Sequence, residues 1–145
     1  MAPHRAEVED VGRLDAQKGL DQIEHAIFHS LRRNAQFVLL GSTTDDVIAA
    51  RFWHLKHRVN DNPDVHLELT YSTELAHLVY AGSDLLVMPS LFEPCGLAQL
   101  IAMRYGTVPV VRAIGGLCDS VFDRDYSGRP WHERRPGGPG RGQHA

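Results

Sequence analysis

Cysteine is nearly absent: Cys95 and Cys118 are the only two in 145 residues. That excludes a disulfide scaffold and a cysteine-built zinc site, and it fits a reducing compartment. Long apolar runs are missing too; none reaches the roughly 18 residues that a membrane-spanning helix needs. Charge of one sign is scarce. Fifteen Lys and Arg against 18 Asp and Glu leave −3, which is no field to recruit nucleic acid or an anionic membrane. The polar start, MAPHRAEVEDV, lacks the positive and apolar regions of a secretory signal. It is also too short and too acidic for a typical organelle transit peptide. No internal repeat is visible.

What is present divides sharply along the chain. Residues 124–145 hold five arginines against Asp125 and Glu133, a local +3, so the first 123 residues carry −6. From Ser127 to the end, eight of 19 residues are Gly or Pro, with no Val, Ile, Leu or Phe. Such a segment cannot bury enough apolar area to offset its ordering entropy. It reads as a disordered tail over 126–145, and its scattered arginines are weak electrostatics for an RNA-binding arm. Residues 1–11 read as a polar N-terminal segment, and 12–125 as one domain.

Inside that domain the hydrophobic period alternates. Residues 36–40, 85–88 and 108–111 are short apolar runs of strand type, and 66–71 alternates as a strand would. Residues 20–32, 45–57, 73–81 and 96–105 carry helical spacing, with Ile23, Ala26, Ile27 and Leu31 on one face of the first. Gly106 is a good helix stop. Short buried strands alternating with helices predict an α/β, Rossmann-like parallel sheet with flanking helices. Ligands of such sheets bind outside the carboxyl ends of the strands, so the strand-to-helix junctions are where function is expected.

Three junctions are unusual. In Gly12-Arg13-Leu14-Asp15-Ala16-Gln17-Lys18-Gly19, two cations five residues apart flank a turn before a helix. They converge on one anion, as a fork and a point charge suited to phosphate, or they are two solvated surface cations. In Ser90-Leu91-Phe92-Glu93-Pro94-Cys95-Gly96-Leu97, Glu93 falls at the ligand edge, where a carboxylate accepts hydrogen bonds from sugar hydroxyls or simply faces a helix dipole. Phe92 is expected to anchor this loop in the core. Gly96 permits close backbone approach, and its N–H and that of Leu97 suit a phosphate. Gly115-Gly116 after the last strand is a tight turn with exposed N–H groups or a plain connection. Tyr71, at a strand end, can stack on a nucleobase or lie idle at the surface. His25 and His29 stand one helical turn apart without a Glu-His zinc motif, and His54 and His57 likewise, so no metal site is expected. Cys95 has no nameable His partner and reads as a packing or loop residue, not a nucleophile.

Taken together, GRLDAQKGLD, FVLLGS, LTYSTELAHLVYAGSDLLVMPSLFEPCGLAQLIAMRYGTVPVV and GGLCDSVFD closely resemble starch and glycogen synthases. These are retaining glucosyltransferases of the GT-B fold that use ADP-glucose. HLVYAGSD and AMRYGTVPVVR look most like a plant soluble starch synthase of class III, which implies a plastid (chloroplast or amyloplast). The resemblance implies that Arg13 and Lys18 bind the donor diphosphate and that Tyr71 lies beside adenine. It implies further that Glu93 engages the transferred glucose and that Cys95, Gly96 and Leu97 form the donor loop. Gly115 and Gly116 match the glycine turn lining the cleft. Glu93, Arg13 and Lys18 are then the catalytic set, with no cofactor and no metal, ADP-glucose as substrate and an α-1,4-glucan as acceptor.

The departures from the family are specific. Only the C-terminal half of a GT-B enzyme is matched, without the N-terminal Lys-Thr-Gly-Gly-Leu-type loop and the acceptor-side histidine. Ala98 and Ile114 stand where many relatives have Thr. Ile101 occupies the place of a second Glu found in the wider superfamily. The strand expected just before Gly12 is replaced by AEVEDV, and an exposed sheet edge is expected where the resemblance stops near Asp125. The implied function is starch-synthase-type transfer by an enzyme of which this chain alone has little turnover. The alternative is a non-catalytic ADP or ADP-glucose-binding module that associates with full-length synthases.

Overall fold

The computed structural model describes residues 5–123; the expected tail over 126–145 lies outside them. Two hydrophobic periods fold this stretch into five strands and five helices. They are β1 (Glu7–Arg13), α1 (Leu20–Arg32), β2 (Gln36–Ser42), α2 (Asp46–Val59), β3 (Val65–Glu68), α3 (Thr73–Gly82), β4 (Leu85–Met88), α4 (Ala98–Tyr105), β5 (Val108–Val111) and α5 (Leu117–Ser120). A 3-10 turn, Ala16–Lys18, joins β1 to α1. The strands form one wholly parallel sheet in the order β3-β2-β1-β4-β5.

Local chemistry sets the helix ends. Asp45 Oδ1 accepts from the N–H groups of Val47 (2.9 Å) and Ile48 (3.0 Å) to start α2, and Ser72 Oγ accepts from Leu75 N at 3.1 Å to start α3. Gly106 ends α4 in the left-handed region at φ 93°. Leu20, Ile23 and Ile27 of α1 and Phe52, Leu55 and Val59 of α2 are buried on one face of the sheet, against Phe37, Leu39 and Leu67. On the other face Tyr80, Ala102 and Leu117 pack with Leu86 and Met88. Helices therefore cover both faces, as the alternation predicts.

The N-terminal reading needs correction. AEVEDV does not replace a strand; it is most of one. Residues 7–13 form β1, the centre of the sheet, in register with β2 from Glu7↔Gln36 to Arg13↔Ser42. The domain therefore begins inside the segment assigned to a polar end. Backbone pairing on both sides outweighs side chains that oppose burial. The opposition is real: Glu9 is wholly buried, and neither of its carboxyl oxygens has a hydrogen-bond partner among the described residues. Burial pushes the Glu9 carboxyl up to about 8. The Ser83 hydroxyl, which itself donates to Val79 O at 2.8 Å, draws it down, while Asp10 and Glu7 add to the rise.

The far edge behaves as expected. Among the described residues β5 pairs only with β4, and Val108 and Val110 remain about half exposed. Val108 N donates to Asp84 O (2.9 Å) and Arg112 N to Met88 O (3.2 Å). By alternation, the backbone N–H positions of residues 109 and 111 point away from β4, and Pro109 has no N–H to offer. A proline at an outward position blunts an edge strand against further pairing.

The raised value of Glu9 makes stability depend on pH. In the unfolded chain the group ionises near its ordinary 4.5, whereas in the fold it stays protonated to about 8. Rising pH therefore favours unfolding across that window, by on the order of 5 kcal/mol when complete. Urea unfolding at pH 5, 7 and 8.5 is expected to show stability falling throughout for the native chain. Glu9→Gln should abolish the fall above pH 7; an unchanged slope in that variant would refute the assignment.

Candidate functional site

A crevice opens where β1 and β4 part. Their pairing is limited to Val8↔Leu85 and Glu9↔Leu86. The chain winds from β1 outward through β2 to β3, then crosses back to β4 and β5, so this is the topological switch point where α/β sheets bind ligands. A cavity of about 140 Å³ lies there. Its walls are Asp10–Arg13 from the end of β1, Lys18 from the turn, and Met88–Ser90, Glu93 and Gly96–Ala98 after β4.

The turn is built to present Lys18. Asp15 Oδ1 accepts from Gln17 N at 2.9 Å, and Gly19 closes the turn at φ 69°. A Cβ on Gly19 would stand 2.5 Å from Pro89 O, so glycine lets the turn press against the β4 loop. Gln17 O in turn accepts from Leu91 N at 2.6 Å. Across this contact Lys18 Nζ forms an ion pair with Glu93 Oε2, to which Ser90 Oγ donates at 3.3 Å. Both charged side chains are mostly buried, which strengthens the pair relative to a surface one. Arg13 is exposed on the same wall. Half-buried Asp10 adds a second acid to the cavity. Burial pushes its carboxyl up to about 7, with Lys18 pulling the other way.

A second cavity, about 270 Å³, shares Val11, Gly12 and Arg13 with the first and is otherwise lined by Leu40, Ser42, Thr70, Tyr71, Ser72 and Ala76. Tyr71 lies three residues beyond β3 and is 82% exposed. Its ring faces no core, and it is available to a planar ligand.

The remaining predicted residues lie outside both cavities. Gly115 and Gly116 do not line either cavity; they pack under the Glu93 loop. A Cβ on Gly115 would lie 2.1 Å from Glu93 O, and one on Gly116 2.5 Å from Cys95 O. Gly116 N donates to Glu93 O at 3.0 Å. Cys95 is exposed and free. The expectation for Phe92 is corrected: it is 57% exposed, because backbone bonds to Gln17 O and Gly116 N already hold the loop that the ring was expected to anchor. Sequence reasoning missed Asp10, Ser90 and Gln99. Ser90 and Gln99 are polar residues buried by tertiary contacts, and Asp10 is hidden in a stretch that reads as a polar end. Among the described residues no cluster of metal-ligating side chains occurs.

Known proteins are similar to this chain in sequence and in fold. The family described as Glycosyl transferases group 1 matches residues 6–129. Glycogen synthase 2 of Methylococcus capsulatus is 66% identical over 124 residues, 86% of this chain and 26% of that protein. Glycogen synthase 1 of Synechococcus sp. is 61% identical over 127 residues, 88% and 26% respectively. Among solved structures, the catalytic domain of starch synthase IV from Arabidopsis thaliana, bound to ADP and acarbose, superposes with TM-score 0.85 at 46% identity. That match covers 89% of this chain and 26% of the other. The chain thus spans about a quarter of the length of the curated relatives it matches.

The glycine clasp gives a direct test. Gly115 combines φ +50° with a backbone contact that no side chain can yield. Gly115→Ala is expected to destabilise the fold by about 1–3 kcal/mol and to displace Glu93 from Lys18. Thermal unfolding together with the NMR shift of the Lys18 ammonium reads both effects; a variant with native stability and an intact ion pair would count against the clasp.

Proposed function

Since the chain belongs to the group 1 glycosyl transferases and has the parallel-sheet fold of a GT-B glycosyltransferase, we propose that it is the donor-binding part of a glycogen or starch synthase. The reaction is transfer of glucose from ADP-glucose to the non-reducing end of an α-1,4-glucan. One observation carries this reading: Lys18 and Glu93, 75 residues apart, pair in a cavity beside Arg13, and Arg13 also lines the neighbouring cavity that holds Tyr71.

The placement supports the following chemistry. The donor diphosphate enters against Arg13 and Lys18, with the base toward Tyr71, where stacking contributes about 1–3 kcal/mol. An ammonium has three N–H donors, so Lys18 holds a phosphate oxygen while keeping Glu93. Departure of ADP builds negative charge on the β-phosphate. Cations and backbone N–H groups fixed beside that oxygen stabilise it as it forms. Glu93 accepts from hexose hydroxyls, and the acceptor hydroxyl attacks C1 on the face the leaving group vacates, its proton passing to the departing β-phosphate oxygen, with retention. Lys18, held by Glu93, and Arg13 supply the positive charge that the diphosphate needs.

The plant class III assignment and the plastid location that goes with it rest on HLVYAGSD and AMRYGTVPVVR alone; the high identity to bacterial glycogen synthases supports only the broader reading. Association with a full-length synthase is a second reading, favoured by the exposed Leu100, Met103, Val108 and Val110 on the β5 side.

Calorimetric titration of ADP into the chain tests the donor site. Lys18→Ala is expected to weaken ADP at least about tenfold, the loss of one charge-assisted contact; equal affinity in both proteins refutes the phosphate assignment. The chain by itself is expected to elongate glucan little or not at all, as radiolabel incorporation from ADP-glucose would show.

A pH dependence accompanies this. Below about 7 the Asp10 carboxyl is neutral and the cavity favours an anion; above it an added negative charge opposes one. Asp10→Asn should bind ADP severalfold more tightly than the native chain at pH 8 and about equally at pH 6. Comparison at each pH cancels the ionisation of ADP itself, and a ratio that stays constant between the two would remove Asp10 from the site.

A further inference from the structure

Gln99 has no solvent exposure, yet it lies in the first turn of α4 directly behind the cavity. Its Nε2 donates to Gly96 O at 2.9 Å and Ser120 Oγ at 3.0 Å, with Cys95 O at 3.3 Å. Ser120 Oγ donates onward to Gly116 O at 3.0 Å, and Gly116 N donates to Glu93 O at 3.0 Å. One buried network therefore runs from the backbone of the hexose-side carboxylate to the backbone of the phosphate-side loop.

Peptide geometry gives this network a direction. In a trans peptide the C=O of one residue and the N–H of the next point opposite ways. Cys95 O and Gly96 O are held inward by the buried amide. The N–H groups of Gly96 and Leu97 must then point outward, on the side where both residues line the cavity. No side chain caps α4 at Leu97, so the first N–H groups of the helix are left for a ligand. Gly96 is what makes room: at φ +70° a Cβ there would meet Gln99 Oε1 at 2.5 Å.

We propose that Gln99 is a positioning residue for the donor, aiming the Gly96 and Leu97 amides at the β-phosphate of a nucleoside diphosphate. This rests on the donor-site reading above. The two are separable because a nucleoside monophosphate, AMP, lacks the group these amides would hold.

The test uses the full chain with ADP and AMP as probes. In Gln99→Met, which keeps length and loses both N–H groups, ADP affinity is expected to fall about tenfold while AMP affinity stays within about twofold. The ADP-induced ¹⁵N shifts of Gly96 and Leu97 should disappear. A purely structural role would weaken both nucleotides together, and that outcome overturns the proposal, as does native ADP affinity in the variant. If Gln99→Met does not fold, Ser120→Ala removes only one acceptor of the amide. It should lower ADP affinity by a smaller factor and leave AMP untouched; unchanged ADP affinity and amide shifts there overturn the proposal equally. A native chain that binds neither nucleotide would instead defeat the donor reading, and this inference with it.

Discussion

Everything at the site depends on the short contact between β1 and β4. Two residue pairs hold these strands side by side, Val8↔Leu85 and Glu9↔Leu86, and then they separate. β4 stops at Met88 while β1 continues to Arg13. The gap cannot be filled by a neighbouring strand, because the chain has already wound away in both directions. Two connecting segments fill it instead: the turn after β1, bearing Lys18, and the loop after β4, bearing Glu93. A longer ladder would close the cavity, and a shorter one would leave the β3-β2-β1 and β4-β5 parts of the sheet without a seam.

The loop after β4 is stiff for a reason that its side chains do not reveal. Its two outermost large residues, Leu91 and Phe92, are partly exposed and contribute little core. Rigidity comes from backbone groups met on two sides. Gln17 O takes the N–H of Leu91, Gly116 N reaches Glu93 O, and Gln99 holds the carbonyls beyond. Buried backbone polar groups left unpaired are expensive, so each of these bonds restricts the loop more than an apolar side chain in a half-open position would. The Lys18–Glu93 ion pair then forms between two supports that are already fixed, which limits the entropy lost in making it.

The alternation of elements is legible in the sequence because parallel strands buried on both faces read as short apolar runs, and β2, β4 and β5 do so. The two cations and Glu93 are legible as junction residues, since in this architecture a junction after a strand faces the ligand edge. β1 is not legible. Its period is broken by Glu7, Glu9 and Asp10, and only Val8 and Val11 speak for a strand; pairing with β2 along seven residues decides the matter. Gly115-Gly116 is legible as a turn but not as a packing surface, because that requires knowing which backbone lies above it. Ser90 and Gln99 become significant only when tertiary structure buries them, and no spacing rule marks a polar residue as buried.

The acids that disguise β1 also couple folding to the site. Glu9 and Asp10 are adjacent, so the pleat sends them to opposite faces. Glu9 goes toward α3, where Tyr80 is pushed up to about 12 by burial and then by both acids. Asp10 goes to the cavity beside Lys18. Burial holds the proton on both carboxyls, and the neighbouring Asp10 adds to the rise at Glu9. An anion bound beside Arg13 and Lys18 adds a third negative charge to the same region and further favours the protonated strand. By linkage, whatever ligates the native state alone stabilises it. An anion in the cavity and retention of protons by the central strand would therefore favour one another, because Asp10 lines the cavity and Glu9 is its neighbour on β1.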